Sequence, residues 1–229
     1  MPEQQPILGA VIVAAGGSTR MGVNKIYAEI ANHPLLYHTV KSFETHPLVS
    51  DICLVVETTN LSKAEQIISK SQFKKVIKIC EGGSSRQESV RIGLQHLPPT
   101  EFVAIHDGAR PCVKHDTITN CIQLAQKYGN AIPGLPVTDT LKKTDPQNII
   151  MTTVDRSHLW HVQTPQVFQW QAIHSAHESN MGEHTDDSSL LESLNINVHI
   201  AQGDPSNIKV TRPGDLGLAE SILIRNRGE

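Results

Sequence analysis

Short apolar segments alternate with longer amphipathic segments along most of the chain. The apolar segments are rich in Val, Ile and Ala and predict buried strands at 7–15, 51–56, 75–80, 102–106, 131–136 and 197–201. The amphipathic segments predict helices near 34–45, 61–71, 85–96, 115–128, 170–178 and 213–225. Because strands that alternate with helices are typical of βαβ units, we expect an α/β fold with a mainly parallel sheet flanked by helices.

The stretch at about 137–169 departs from this alternation, since it contains β-formers and turns but no convincing crossover helix. We predict that it forms a β-arm that projects from the domain. Its apolar residues, such as Leu159 and Trp160, then need a partner surface, and a second copy of the chain is the simplest supplier. The chain has no internal repeat or low-complexity linker, so we expect residues 1–229 to form a single domain with this arm.

The bulk composition narrows the class of protein. Of the 229 residues, 38% are hydrophobic and 19% are charged, which is an ordinary globular balance. The net charge of −3 argues against a protein that coats nucleic acid. The four cysteines lack zinc-ligand spacing, and the chain shows neither a signal peptide nor a membrane-length apolar run. We therefore expect a cytoplasmic protein without nucleic-acid or membrane partners.

The first polar cluster, AAGGSTRMGVNK at 14–25, directly follows the first predicted strand. Ligands of open α/β sheets bind beyond the carboxyl ends of the strands. Glycines let backbone amides approach phosphates, and Arg20 and Lys25 supply positive charge. The cluster has neither the GK[ST] of a Walker A motif nor a GxGxxG pattern. An ordinary glycine-rich turn with two solvated cations is the alternative interpretation.

Two more clusters follow later strands. EGGSSRQES at 81–89 offers glycines and a helix cap at Ser84 or Ser85, which suits a base edge or an anion, or simply starts a helix. HDGARP at 106–111 places Asp107 at a strand end, where it can hold a metal-bound water or a ribose. Arg110 of the same cluster can clamp a phosphate, or it can pair with Asp107.

Four shorter motifs follow along the chain: TDT at 138–140, TVDR at 153–156, TPQ at 164–166 and NIKVTRP at 207–213. Together with the three clusters above, they form a set of motifs in a defined order. From about residue 7 to 224, the set resembles the 2-C-methyl-D-erythritol 4-phosphate cytidylyltransferases. The resemblance implies a Rossmann-like fold and a homodimer with interlocking arms. It implies the joining of CTP and 2-C-methyl-D-erythritol 4-phosphate, a sugar-alcohol phosphate, to give 4-diphosphocytidyl-2-C-methyl-D-erythritol and pyrophosphate. The expected cofactor is Mg²⁺, held mainly by the CTP phosphates, with Asp107 as the candidate protein ligand.

The resemblance also implies roles for the residues at matching positions. The catalytic positions are Arg20, Lys25, Arg156 and Lys209. The nucleotide-binding positions are Ala14, Ala15, Gly16, Gly82, Gly83, Arg86 and Ser89. The acceptor-binding positions are Asp107, Arg110, Thr140, Arg156, Thr164 and Lys209. Thr140 and Arg156 would come from the arm of the second subunit.

The loop before Lys25 departs from the family pattern. The family usually has GxGxRM, with Pro before the lysine and Gln after it, whereas this chain has GGSTRM, Asn24 and Ile26. This difference leaves a non-catalytic nucleotide-binding regulatory protein as one alternative. Ribitol 5-phosphate cytidylyltransferase is another, although Asp155 and Arg156 favour the methylerythritol enzyme because ribitol relatives tend to lack this pair.

Two further patterns are interpreted as structural. His174 and His177 are spaced as neighbours on one helical face but lack further zinc ligands, so we expect surface or interface histidines. HTDD at 184–187 resembles the family's TDE-like helix start, in which Thr185 or Asp186 would cap a helix near the active site.

Overall fold

The computed structural model describes residues 7–16, 25–179, 182 and 184–226. The strands are β1 Leu8–Ala14, β2 Glu29–Ile30, β3 His33–Pro34, β4 Val49–Val56, β5 Val76–Glu81, β6 Phe102–Asp107, β7 Asn130–Pro136, β8 Leu141–Thr144, β9 Ile150–Val154, β10 Trp160–Val162, β11 Gln166–Gln169 and β12 Ile200–Gln202. The helices are α1 Leu35–Glu44, α2 Leu61–Ser71, α3 Arg86–His96, α4 His115–Tyr128, α5 Trp170–Ser179, α6 Asp187–Ser193 and α7 Pro213–Arg225. Each predicted strand and helix has a counterpart among these elements.

The central sheet runs in the order β5-β4-β1-β6-β11-β7, and both β10 and β12 pair with β7. β1 is parallel to β4 and β6, and β4 is parallel to β5, whereas β11 runs antiparallel to both of its neighbours. The predicted mainly parallel α/β fold is therefore confirmed. The chain leaves β1 towards β4 on one side and returns to β6 on the other, so a topological switch point lies between β1 and β6.

Helices cover both faces of the sheet. Apolar residues of α1, α2 and α4 pack with one set of strand side chains. Those of α3, α5 and α6 pack with the other set. Burial on both faces explains why β1, β4 and β6 are nearly continuous apolar runs in the sequence. The carboxyl ends of β1 and β6 remain available for the loops that follow them.

The predicted arm at 137–169 is only partly a projection. β8 and β9 form an antiparallel hairpin outside the central sheet, and apolar side chains at its tip are exposed. By contrast, β10 pairs with β7, and β11 lies between β6 and β7. The prediction is thus wrong for the last part of the stretch, because a four-residue strand is too short to show a periodic pattern.

The packing around Gly93 leaves no room for a side chain. A Cβ at Gly93 in α3 would overlap Val11 Cγ1 and lie 2.9 Å from Val55 Cγ2, whereas a Cβ at Gly217 in α7 would meet nothing within 4 Å. We expect Gly93→Ala to lower the free energy of unfolding by about 1–3 kcal/mol through overpacking. The matched control Gly217→Ala should raise it by about 0.5–1 kcal/mol. Urea unfolding measures both, and a stabilised Gly93→Ala variant would contradict the packing account.

Candidate active site

A pocket of about 300 Å³ opens at the switch point between β1 and β6. Its walls come from the end of β1, the turn before α3, the end of β6 and the segment before α7. Among the residues that line it are Ala14, Ala15, Gly16, Lys25, Gly83, Arg86, Ser89, Asp107 and Lys209. The structure therefore brings together residues from four separate motifs that the sequence singled out.

Asp107 is the electrostatic centre of this pocket. Its carboxylate lies 2.8 Å from Lys209 Nζ, 3.3 Å from Arg86 Nε and 3.4 Å from Arg110 Nε. Burial alone would raise the pKa of Asp107, but the neighbouring cations outweigh it and hold that pKa well below its ordinary value. Asp107 is consequently ionised at neutral pH, and one carboxylate faces three cations.

Arg110 pairs with Asp107, as one of the two sequence interpretations expected. It also donates a hydrogen bond from Nη1 to the backbone oxygen of Asn207 at 2.8 Å. This second bond ties the end of β6 to the segment that carries Lys209. Arg110 therefore contributes both positive charge and a fixed position for Lys209.

Arg86 lies between two carboxylates. Its Nη2 is 2.8 Å from Asp187 Oδ2, and its Nε contacts Asp107. Burial disfavours the charge of Arg86, but Asp187 and Asp107 outweigh burial and raise its pKa above the ordinary value. The sequence predicted only a helix start at HTDD and no role for Asp187 in the site. The signal that could have revealed this role is the second of the two consecutive aspartates.

His177 is buried within its own chain, so its expected placement at the surface or at an interface is wrong. Its Nε2 lies 3.4 Å from Asp187 Oδ1. The reason is that α5 turns this face towards α6 rather than towards solvent, since Ile173 and Ala176 on the same helix are also buried. Periodicity alone did not reveal this contact because it depends on how two helices pack.

Thr164 fixes the backbone at Asp107. Its Oγ1 accepts a hydrogen bond from the Asp107 amide at 3.1 Å and lies 3.0 Å from His106 Nδ1. Burial lowers the pKa of His106 to about 3, so this ring is neutral at pH 7. The threonine hydroxyl then donates to Nδ1, and His106 Nε2 donates to the Arg110 carbonyl 3.3 Å away. Thr164 is buried and belongs to the support of the pocket rather than to its lining.

The turn before α3 is held tightly against the end of β1. Ser85 caps α3 by accepting from the Glu88 amide at 3.0 Å, which confirms the predicted cap. Ser89 Oγ accepts from the Gly83 amide at 3.1 Å and donates to the Ser85 carbonyl at 2.8 Å. A Cβ at Gly82 would overlap Ala15 Cβ, so only glycine permits this approach.

The remaining predicted site residues occupy different places. Lys25 begins a short 3₁₀ turn, Lys25–Tyr27, and lines the pocket beside Ile26. Thr140 and Arg156 are exposed at the base of the β8–β9 hairpin and do not line the pocket of their own chain. Arg20 lies outside the described residues.

Within the part of the chain that the structure describes, no helix is long and apolar enough to cross a membrane. The same residues contain no group of three or more His, Cys, Asp or Glu side chains arranged to hold a metal ion. Among the described residues that line the pocket, Asp107 is the only carboxylate. A divalent cation here would therefore need most of its ligands from the substrate and from water.

Glycine-rich turns and converging cations at the switch point of a parallel sheet define a nucleotide-binding α/β protein. The family model described as 2-C-methyl-D-erythritol 4-phosphate cytidylyltransferase matches residues 8–225. The chain belongs to this family of nucleotidyltransferases.

Individual relatives agree over nearly the full length. The chain is 43% identical to a 2-C-methyl-D-erythritol 4-phosphate cytidylyltransferase of Dehalococcoides mccartyi, covering 96% of this chain and 97% of the relative. Identity to the Clostridium tetani enzyme is 40%, over 93% and 89% of the two chains. The solved structure of a 4-diphosphocytidyl-2C-methyl-D-erythritol synthase from Anaerococcus prevotii superposes with a TM-score of 0.84 at 27% identity, over 96% and 99%. The resemblance inferred from the motifs is confirmed.

The ion cluster at Asp107 predicts a pH-dependent loss of stability. Asp107→Asn leaves Arg86, Arg110 and Lys209 without their shared carboxylate, so we expect a loss of about 2–3 kcal/mol of unfolding free energy at pH 7. Because the folded-state pKa of Asp107 is lowered, its contribution is present above about pH 4 and disappears as the pH falls further.

Urea unfolding of wild type and variant at pH 7, 5 and 3 measures this difference. The gap between the two proteins should shrink towards pH 3. Glu65→Gln, an exposed carboxylate on α2, is the control and should change stability by less than about 0.5 kcal/mol. A gap that stays constant across the pH range would contradict the assignment.

Proposed function

We propose that the chain transfers CMP from CTP to 2-C-methyl-D-erythritol 4-phosphate, releasing pyrophosphate and forming 4-diphosphocytidyl-2-C-methyl-D-erythritol. The observation that carries this proposal is the pocket at Asp107, which Lys25, Arg86 and Lys209 line and in which Arg86 and Lys209 contact the Asp107 carboxylate. A triphosphate and a phosphorylated acceptor need such a surplus of positive charge. Family membership over residues 8–225 supplies the identity of the two substrates.

The CTP base and ribose are assigned to the pocket wall formed by Ala15 and the turn at Gly82 and Gly83, where Ala15, Gly83 and Ser89 line the cavity. The support for this assignment is that Ala15, Gly83 and Ser89 all line this wall and leave it free of large side chains. Ser89 Oγ accepts one hydrogen bond and donates one within the turn, which leaves one lone pair. That lone pair is available to accept from the amino group of cytosine, while the Ser89 hydroxyl keeps the Gly83 amide in place.

In the proposed reaction, an acceptor phosphate oxygen attacks the α-phosphorus of CTP in line with the departing pyrophosphate. A new oxygen–phosphorus bond forms, the bond to the bridging α–β oxygen breaks, and its electron pair leaves with pyrophosphate. The attacking oxygen is already anionic near neutral pH, so no general base is required. Catalysis then depends on positioning and on charge neutralisation.

The cations divide this work between the two substrates. Lys25 and Arg20 are assigned to the charge that develops on the α-phosphate and the pyrophosphate. Lys209, with Arg156 of a second copy, is assigned to the acceptor phosphate. The contact between Lys209 and Asp107 supports this assignment, because it fixes a lysine whose side chain is still 43% exposed at the mouth of the pocket.

Mg²⁺ is the proposed cofactor. Asp107 offers the oxygen donor that this ion prefers, and the triphosphate and water would complete its ligands. The ion would supply charge neutralisation on the triphosphate. Since CTP and its acceptor are metabolites of the cell interior, we place the reaction in the cytoplasm.

A homodimer is proposed from the arm. Ile149, Ile150 and Met151 at the tip of the hairpin are 60–67% exposed, which is typical of a surface that another protein covers. Thr140 and Arg156 lie at the base of the same hairpin, outside the pocket of their own chain. If the arm reaches a second copy, these two residues complete the acceptor site there.

The ribitol 5-phosphate and non-catalytic alternatives are not favoured, because the family model and the curated relatives carry the methylerythritol name.

Pyrophosphate release tests the activity. With CTP and Mg²⁺, we expect release with 2-C-methyl-D-erythritol 4-phosphate and background release with ribitol 5-phosphate or with no acceptor. Lys209→Met should lower kcat/KM about 100-fold, since it removes a cation from the reacting phosphates. Release with ribitol 5-phosphate alone, or CTP binding without release under any condition, would contradict the proposal.

Mixing inactive variants tests the shared site. Lys209→Met and Arg156→Met should each keep only about 1% of wild-type activity, but a re-equilibrated equal mixture should regain about a quarter of it. Half of all dimers in this mixture are then heterodimers, and each heterodimer holds one intact site. The matched control mixes Lys209→Met with Lys25→Ala, which lie in the same pocket, and should regain nothing. If the first mixture also stays inactive, Arg156 does not act across subunits.

A further inference from the structure

We propose that Asp187 is a positioning residue for the CTP site. It holds Arg86 on the side away from the pocket, so that the guanidinium of Arg86 faces the nucleotide. The inference rests on the proposed function, since it assumes that Arg86 contacts CTP. Asp187 does not line the pocket, whereas Arg86 does. Asp187 would therefore act on the nucleotide only through Arg86.

The first observation is the geometry of Arg86. Its Nη2 lies 2.8 Å from Asp187 and its Nε lies 3.3 Å from Asp107, so one guanidinium is held by carboxylates on two sides. The Asp187 side chain is 2% exposed, while that of Arg86 is 29% exposed. A planar guanidinium that is fixed at two points has lost most of its rotational freedom, and its remaining N–H groups keep a defined direction.

The second observation is that Asp187 is itself rigidly placed. It is the first residue of α6, and the preceding Asp186 caps that helix by accepting from the Ser189 amide at 3.0 Å. Gln166 donates to Asp186 at 2.7 Å and accepts from the Ser188 amide at 3.0 Å. His177 of α5 contacts the other oxygen of Asp187 at 3.4 Å.

These supports link Asp187 to the rest of the site. Thr164 and Gln166 are two residues apart, and they fix the backbone of Asp107 and the start of α6 respectively. One short segment at the start of β11 therefore fixes the positions of both carboxylates that hold Arg86. Asp186 already caps α6, so the stability of this helix does not depend on Asp187 for its cap. We therefore assign the buried Asp187 carboxylate to the orientation of Arg86.

Two adjacent aspartates provide a matched pair of variants. Asp187→Asn removes the charge that holds Arg86, so we expect KM and Kd for CTP to rise about tenfold, with kcat at saturating CTP within about threefold and an unchanged acceptor KM. Asp186→Asn keeps a capping oxygen for the same helix, because Asn caps about as well as Asp, and it loses only the bonds that Gln166 and Ser188 donate to the other oxygen, without touching Arg86. It should lower the Tm and leave the CTP constants unchanged.

A double-mutant cycle tests whether Asp187 acts through Arg86. If it does, Arg86→Gln/Asp187→Asn should bind CTP as weakly as Arg86→Gln alone, because the second change has nothing left to position. This double variant also removes both members of the buried pair, so it avoids an uncompensated charge if Asp187→Asn alone does not fold.

Calorimetry with CTP and Mg²⁺ gives the Kd for each variant, and thermal melting confirms that each is folded. Unchanged CTP binding in Asp187→Asn, or effects of the two changes that add independently, would overturn the inference. A wild-type protein that neither binds CTP nor releases pyrophosphate would instead contradict the proposed function, so the two failures are distinguishable.

Discussion

The site depends on one buried carboxylate that is shared by three cations. Asp107 stands at the carboxyl end of β6, and it is contacted by Arg86 from the start of α3, by Arg110 from the following turn and by Lys209 from the segment before α7. These residues are far apart in the chain, and the topology of the sheet brings them to one edge. Asp107 and Asp187 supply two negative charges against the three positive charges of Arg86, Arg110 and Lys209, so the cluster keeps an excess of positive charge that suits phosphates.

The position of the cations depends in turn on a buried polar network. Asn207 donates from Nδ2 to the Thr164 carbonyl at 2.8 Å, and Gln163 donates from Nε2 to the Asp204 carbonyl at 2.9 Å. These bonds connect the entry of β11 to the segment that carries Lys209. Each contributes only about 1 kcal/mol net, but an unsatisfied buried partner costs more, so the network has little freedom to rearrange.

The sequence predicts those parts of the structure that follow from local patterns. The long apolar runs identified β1, β4 and β6, and the polar clusters at the ends of these runs supplied pocket residues such as Ala15 and Asp107. β11 was missed because four residues carry no period, and its place between β6 and β7 is set by the whole sheet. The contact between His177 and Asp187 was missed because it depends on the packing of α5 against α6.

The surplus of charge also couples the stability of the protein to its ligand. The pKa of Arg110 lies below its ordinary value because burial, and to a smaller extent the neighbouring Arg86, disfavour its charged form despite Asp107. Mutual repulsion among the cations is thus part of the free energy of the folded pocket. A bound triphosphate would relieve it, and a ligand that binds only the folded state stabilises that state. The same charges that we assign to CTP recognition therefore make the folded pocket more stable with nucleotide than without it.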